Sequence, residues 1–128
     1  MTVSSKVTFV FIVLVLATSA KYDGILKFKS DGTFKIQQIT DTHYGNEPAV
    51  NSQSTQEVTQ LIQMEDADVI AMTGDMVSGY DWDKKTPGFY VSLWKEWTKP
   101  IDETQVPYFY LLGNHDSQGD LDRRQIME

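Results

Sequence analysis

Cysteine is absent from this 128-residue chain, and histidine occurs only twice, at His43 and His115. Without cysteine there are no disulfides and no thiolate zinc site, so any bound metal must be held by oxygen and imidazole nitrogen. No Asn-x-Ser/Thr acceptor is present, which removes N-glycosylation. No cluster of Lys or Arg occurs either. With 11 basic against 18 acidic residues the net charge is −7, the wrong sign and pattern for binding a nucleic-acid backbone. There is no internal repeat and no low-complexity tract. At 41% hydrophobic, 12% aromatic and 23% charged residues, the chain is neither disordered, collagenous nor coiled-coil. Its length suits one small domain.

The first twenty residues differ from the rest. Lys6 precedes an apolar run from Val7 to Ala17, and the small residues Thr18, Ser19 and Ala20 follow. This pattern predicts a signal peptide over residues 1–20, cleaved after Ala20, and a secreted or endomembrane-lumen location. The run is shorter than the roughly 20 residues a membrane-spanning helix needs, so no stable anchor is expected after cleavage. An uncleaved anchor is the alternative.

The remaining residues, 21–128, read as alternating strands and helices. Residues 22–32 suggest a short strand and a turn at Ser30-Asp31-Gly32, and Phe34 to Thr40 a strand. Ser54 and Glu57 have the spacing of a capping box, predicting a helix from Thr55 to about Glu65 with Val58, Leu61 and Ile62 facing inward. Asp68 to Thr73 is a continuous apolar run, predicting a strand buried on both faces. The segment from Gly79 to Gly88 reads as a loop. Tyr90, Val91, Leu93, Trp94 and Trp97 form a helical stripe that Pro100 should end, and Pro107 to Leu112 predicts a third buried strand. Strand, helix, strand, helix, strand makes an α/β unit with a largely parallel sheet. Right-handed crossovers bring the carboxyl ends of its strands to one edge, where open α/β folds bind ligands.

At that edge the sequence places its chemistry. Asp41-Thr42-His43 leaves the first core strand, Gly74-Asp75 the second, and Gly113-Asn114-His115-Asp116 the third. A carboxylate and an imidazole one residue apart suit Zn, Fe or Mn. Asp75 offers enough lone pairs to bridge two cations, and Gly74 lets the backbone turn close to an ion. Asn114 supplies a neutral oxygen, His115 a proton donor, and Asp116 a candidate for orienting that imidazole. Taken alone, the first two clusters read as ordinary polar turns, whereas Gly113-Asn114-His115-Asp116 is more specific. Both histidines falling in these turns makes coincidence a poor account of all three together.

These motifs resemble the first three of the calcineurin-like metallophosphoesterase superfamily. The surrounding residues, Gln38 to His43 and Thr73 to Gly79, are similar to its purple-acid-phosphatase-related secreted branch. The resemblance spans residues 34 to 116. It implies a layered αββα sandwich, here the amino-terminal half only, with metal loops at strand carboxyl ends. It implies two divalent or trivalent metal ions (Fe, Zn or Mn), with Asp41 and His43 on the first, Asp75 bridging, and Asn114 on the second. His115 would contact the phosphate, and a metal-held hydroxide would attack a phosphate-ester substrate in line.

The sequence also departs from that pattern. Ser78 stands where purple enzymes carry an iron-ligating Tyr, and Tyr80 is out of register, so no tyrosinate colour is expected. The later His and G-H-x-H motifs have no counterpart, since no His follows His115. By the resemblance the chain is the amino-terminal part of a longer protein, with little activity alone. A non-catalytic secreted remnant or metal-binding interaction domain is the rival reading. A carbohydrate module built on Tyr80 and Trp82 is a weaker one.

Overall fold

A computed structural model of the chain describes residues 25–45 and 47–128. The expected signal peptide lies outside the described residues. Three short strands form one parallel sheet in the order β1 (Ile36–Ile39), β2 (Val69–Met72), β3 (Tyr108–Tyr110). Helix α1 (Pro48–Glu65) connects the first two, α2 (Phe89–Thr104) connects the second pair, and α3 (Arg123–Met127) follows β3. This is the expected α/β order, with β2 central. Val69 to Met72 are all buried, as their unbroken apolar run demands.

The helices lie against one face of the sheet. The Tyr108 hydroxyl donates to Asp102 of α2 (3.0 Å), and the Tyr110 ring meets Trp94 (4.7 Å between centroids). Residues alternate along a strand, so Phe109 and Leu111 face the other way, together with Ile36. All three are about half exposed or more (49%, 57% and 60%). The third strand was expected to be buried; instead it is a half-exposed edge. Residues 25–29 are not a strand either, although the Ser30–Gly32 turn forms.

The helix boundaries correct two further expectations. α1 starts at Pro48, not Thr55, and the predicted Ser54–Glu57 capping box lies inside it. Proline at the first helical position has its φ preset and gives up no needed N–H. The Asn51 carboxamide then fixes the entry, accepting from Gly45 N (3.0 Å) and donating to Gly45 O (2.7 Å). Val58 and Ile62 face the core, whereas Leu61 is half exposed. A capping box does occur, at Asp122 and Gln125, where it opens α3.

α2 runs through Pro100 to Thr104. The proline withholds one hydrogen bond from the Glu96 carbonyl. Burial outweighs that loss: Trp97 and Ile101 are fully buried, one turn apart, and Leu93 extends the stripe. The amino end of α2 is capped from a distance, with Phe89 N (3.1 Å) and Tyr90 N (2.9 Å) donating to the Asp120 carboxylate. That contact ties the segment after β3 to the start of α2.

Three phenols are held in their neutral form. Burial pushes Tyr108 up to about 12, assisted by its hydrogen bond to Asp102, and burial also raises Tyr90 and Tyr44. A phenol whose folded pKa is raised adds stability below its ordinary pKa of 10, and that stability is lost as pH climbs from about 10 toward 12. Absorbance titration at alkaline pH should therefore show these residues ionising late, together with unfolding. Six tyrosines titrating uniformly near pH 10 in a still-folded chain would contradict this packing.

Candidate metal centre

The ligand-type residues sit where the sheet ends and two loops leave it side by side. Thr73 N donates to Ile39 O (2.9 Å), Asp41 N to Gly74 O (3.0 Å), His43 N to Asp75 O (3.0 Å) and Tyr44 N to Met76 O (2.8 Å). Ser78 N returns a bond to Tyr44 O (2.9 Å), completing a parallel bridge between Tyr44 and Val77. The ladder thus continues past the strands, but not in strand conformation. Asp41 (φ 55°), His43 (φ 47°) and Asp75 (φ 54°) all lie in the left-handed region, as does Gly74 (φ 112°). Non-glycine residues seldom adopt it, and the cost of about 1–3 kcal/mol each is tolerated where surrounding bonds enforce it. Three such residues here coincide with three predicted ligands.

Their side chains converge. One ligand atom from each of Asp41, His43 and Asp75 falls within 4.8 Å of the others. His43 Nε2 stands 3.7 Å from Asp41 Oδ1. That is too long for a hydrogen bond and close to the roughly 3.4 Å between two tetrahedral ligands with bonds near 2.1 Å. His43 Nδ1 is buried with no hydrogen-bond partner. Asp41 is exposed and Asp75 buried, so the group opens to solvent on one side. Two carboxylates and an imidazole at this spacing fit a divalent cation of the Zn, Mn or Fe class, which would also relieve the repulsion between the carboxylates.

The third loop is clamped to the second by Asp116, which is 1% exposed. Its Oδ2 accepts from Asp75 N (2.8 Å) and Gly113 N (2.7 Å), and its Oδ1 from Val77 N (3.0 Å). Asp75 Oδ1 in turn accepts from His115 N (2.7 Å). The expectation that Asp116 orients the His115 ring is therefore corrected: both its oxygens are committed to backbone N–H groups. The ring partner is Gln118, whose Oε1 lies 2.8 Å from His115 Nδ1. Glycine is required where the two loops touch. A Cβ on Gly74 would come within 2.8 Å of Gly113 N and Cα, and one on Gly113 would collide with the Asp75 carboxylate. Gly113→Ala should cost about 1–3 kcal/mol and displace Asp75. A lower urea midpoint with weakened Zn binding is the expected result, and an unchanged pair of values would contradict it.

His115 joins the group through its ring, 5.5 Å from His43 between centroids. Asn114, on the same loop, is exposed. Tyr80 stands beside both imidazoles. Its ring stands edge-on to His115 (4.9 Å, 77°) and 6.1 Å from His43. Ser78 Oγ donates to His43 O (3.0 Å) and lies 3.3 Å from the Tyr80 hydroxyl. Ser78 thus ties Tyr80 to the first loop.

Similarity to known proteins agrees with this geometry. A model of the family described as calcineurin-like phosphoesterase matches residues 34–127. The chain is 33% identical over 116 residues to the "Probable inactive purple acid phosphatase 28" of Arabidopsis thaliana, covering 80% of this chain and 28% of that one. It is 28% identical to "Phosphatase DCR2" of Saccharomyces cerevisiae, covering 80% of this chain and 19% of that one. The chain thus spans under a third of these relatives' lengths. Its fold is similar to that of a crystallised dimetal phosphatase from Danio rerio, at a TM-score of 0.52 and 14% identity over 67% of this chain and 31% of that one. With the family match covering most of its length and all three loops, the chain belongs to the calcineurin-like phosphoesterase family.

Proposed function

We propose that the chain forms the amino-terminal part of a two-metal centre that hydrolyses phosphate esters. The observation that carries this reading is the convergence of Asp41, His43 and Asp75 within 4.8 Å, with the His115 ring beside them. In this reading Asp41, His43 and Asp75 would hold one ion, and Asp75 with Asn114 would hold a second. Bound ions supply charge neutralisation of the phosphate and lower the pKa of water toward about 7. The chain's own residues do the rest. His115 lies beyond the trio, where it hydrogen-bonds the phosphate and gives a proton to the leaving oxygen. Asp116 holds the loops carrying Asp75 and Asn114 at a fixed separation. The substrate is a phosphomonoester or phosphodiester, and the leader reading of residues 1–20 puts the reaction in a secretory compartment.

A second reading, a metal-binding domain without catalysis, has its own support. The name of the Arabidopsis relative describes that protein as probably inactive. Among the described residues, this reading assigns the second ion Asp75 and Asn114, fewer ligands than such ions take. Turnover of a chromogenic phosphate ester separates the two. For residues 1–128, rates near background are expected with Zn or Mn, while Zn and inorganic phosphate still bind. Efficient hydrolysis abolished by Asp75→Asn would overturn the view that the second ion's ligand set is incomplete. Absence of both metal and phosphate binding would overturn the proposal itself.

A further inference from the structure

We infer that Gln118 is a positioning residue that, with the edge of Tyr80, locks the His115 imidazole in its Nδ1–H form and leaves Nε2 to face the phosphate. The inference rests, for its catalytic meaning, on the phosphoesterase reading; the ring geometry does not.

Three observations converge on the imidazole. Its Nδ1 lies 2.8 Å from Gln118 Oε1, hydrogen-bond distance for an N–H donating to a carbonyl. Residues Asp116–Gln118 form a single 3-10 turn following His115, and Gln118 N donates to His115 O (3.1 Å). The turn returns Gln118 to its own loop's histidine at i+3 spacing. On the other side the Tyr80 ring stands at 77° and 4.9 Å, closing off rotation of the imidazole toward the first loop. Tyr80 is itself held through Ser78, which donates to His43 O. The acid in the neighbourhood, Asp116, is spent on backbone N–H groups and leaves the ring alone.

A neutral carboxamide makes a different partner from a carboxylate. It fixes the tautomer and the ring plane without placing a negative charge beside an incoming phosphate. With Nδ1–H committed to Gln118, Nε2 is the nitrogen that exchanges protons. As the bond from phosphorus to the leaving oxygen breaks, the ring in its doubly protonated form gives the Nε2 proton to that oxygen and returns to the neutral Nδ1–H form, while the proton shed by the attacking water passes to solvent.

The test is long-range 15N–1H correlation spectroscopy of the His115 ring, in the full chain without ion or substrate. Gln118 is exposed, so substitutions there should leave the melting temperature within about 2 °C of the parent. The parent should show the Nδ1–H signature, Gln118→Glu should retain it, and Gln118→Leu should lose it. An Nε2–H parent, or an unchanged signature in Gln118→Leu, would overturn the assignment. A second arm measures inorganic phosphate binding to the Zn-loaded chain. Gln118→Leu should weaken phosphate about tenfold and leave Zn affinity unchanged; equal phosphate affinity would overturn the positioning role. If the parent binds no phosphate while the tautomer pattern holds, the phosphoesterase reading fails and the ring assignment stands.

Discussion

Asp75→Asn is expected to reduce the affinity of the chain for Zn by roughly 100-fold or more, above what loss of an outer hydrogen-bond partner costs, while changing the metal-free melting temperature little. The separation of the two effects follows from the geometry. Asp75 Oδ1 accepts the His115 backbone N–H, and an asparagine carbonyl oxygen can do the same. What asparagine cannot supply is the negative charge between Asp41 and His43. Asp75→Ala removes both the ligand and the loop contact, so it should lose metal and some stability together. Calorimetric Zn titration beside thermal melts of the metal-free variants checks this. Wild-type affinity in Asp75→Asn would remove Asp75 from the metal centre.

Asp116→Ala should be strongly destabilising. It strips partners from three backbone N–H groups, those of Asp75, Val77 and Gly113, around a carboxylate that is 1% exposed. Hydrogen bonds to a charged acceptor are worth more than neutral ones, and unpaired buried donors cost about 1–3 kcal/mol apiece before water or relaxation recovers part of it. A net loss of about 3–5 kcal/mol is expected, which is a large share of the 5–15 kcal/mol typical of a domain. The melting temperature should fall by roughly 10–25 °C. Asp116→Asn keeps one acceptor but turns an NH2 toward backbone N–H groups, so it should fall between the parent and alanine. A melting temperature within a few degrees of the parent for Asp116→Ala would show that the loops are held together by other contacts.

These two residues also show where reading the sequence succeeds and where it stops. Gly74-Asp75 was legible because an apolar run ends there, and a parallel sheet brings strand ends to one edge. The same logic located Asp41, His43 and His115. Asp116 was visible as part of a motif, but its partners are backbone groups of residues 75, 77 and 113, and side-chain spacing does not report backbone donors. Gln118 left a trace only in its i+3 offset from His115. The α2 boundary failed for a related reason. Pro100 is a strong local stop signal, and the burial of Ile101 beyond it is a tertiary effect that a single segment does not reveal. Pro48 at the start of α1 was the better signal than Ser54-x-x-Glu57, because the partner that fixes the entry is Gly45, six residues before Asn51. The exposed face of β3 was equally out of reach. An apolar run marks what a strand is built to bury, and Phe109 and Leu111 are nonetheless about half exposed.

The central claim is that Asp41, His43 and Asp75 close on a single ion. X-ray absorption at the zinc edge, on the chain loaded with one equivalent of Zn, addresses it most directly. The account predicts a first shell of oxygen and nitrogen near 2.0–2.1 Å with the outer scattering of one imidazole, lost in His43→Gln. A shell of oxygen alone, or an imidazole signal that survives His43→Gln, would contradict it.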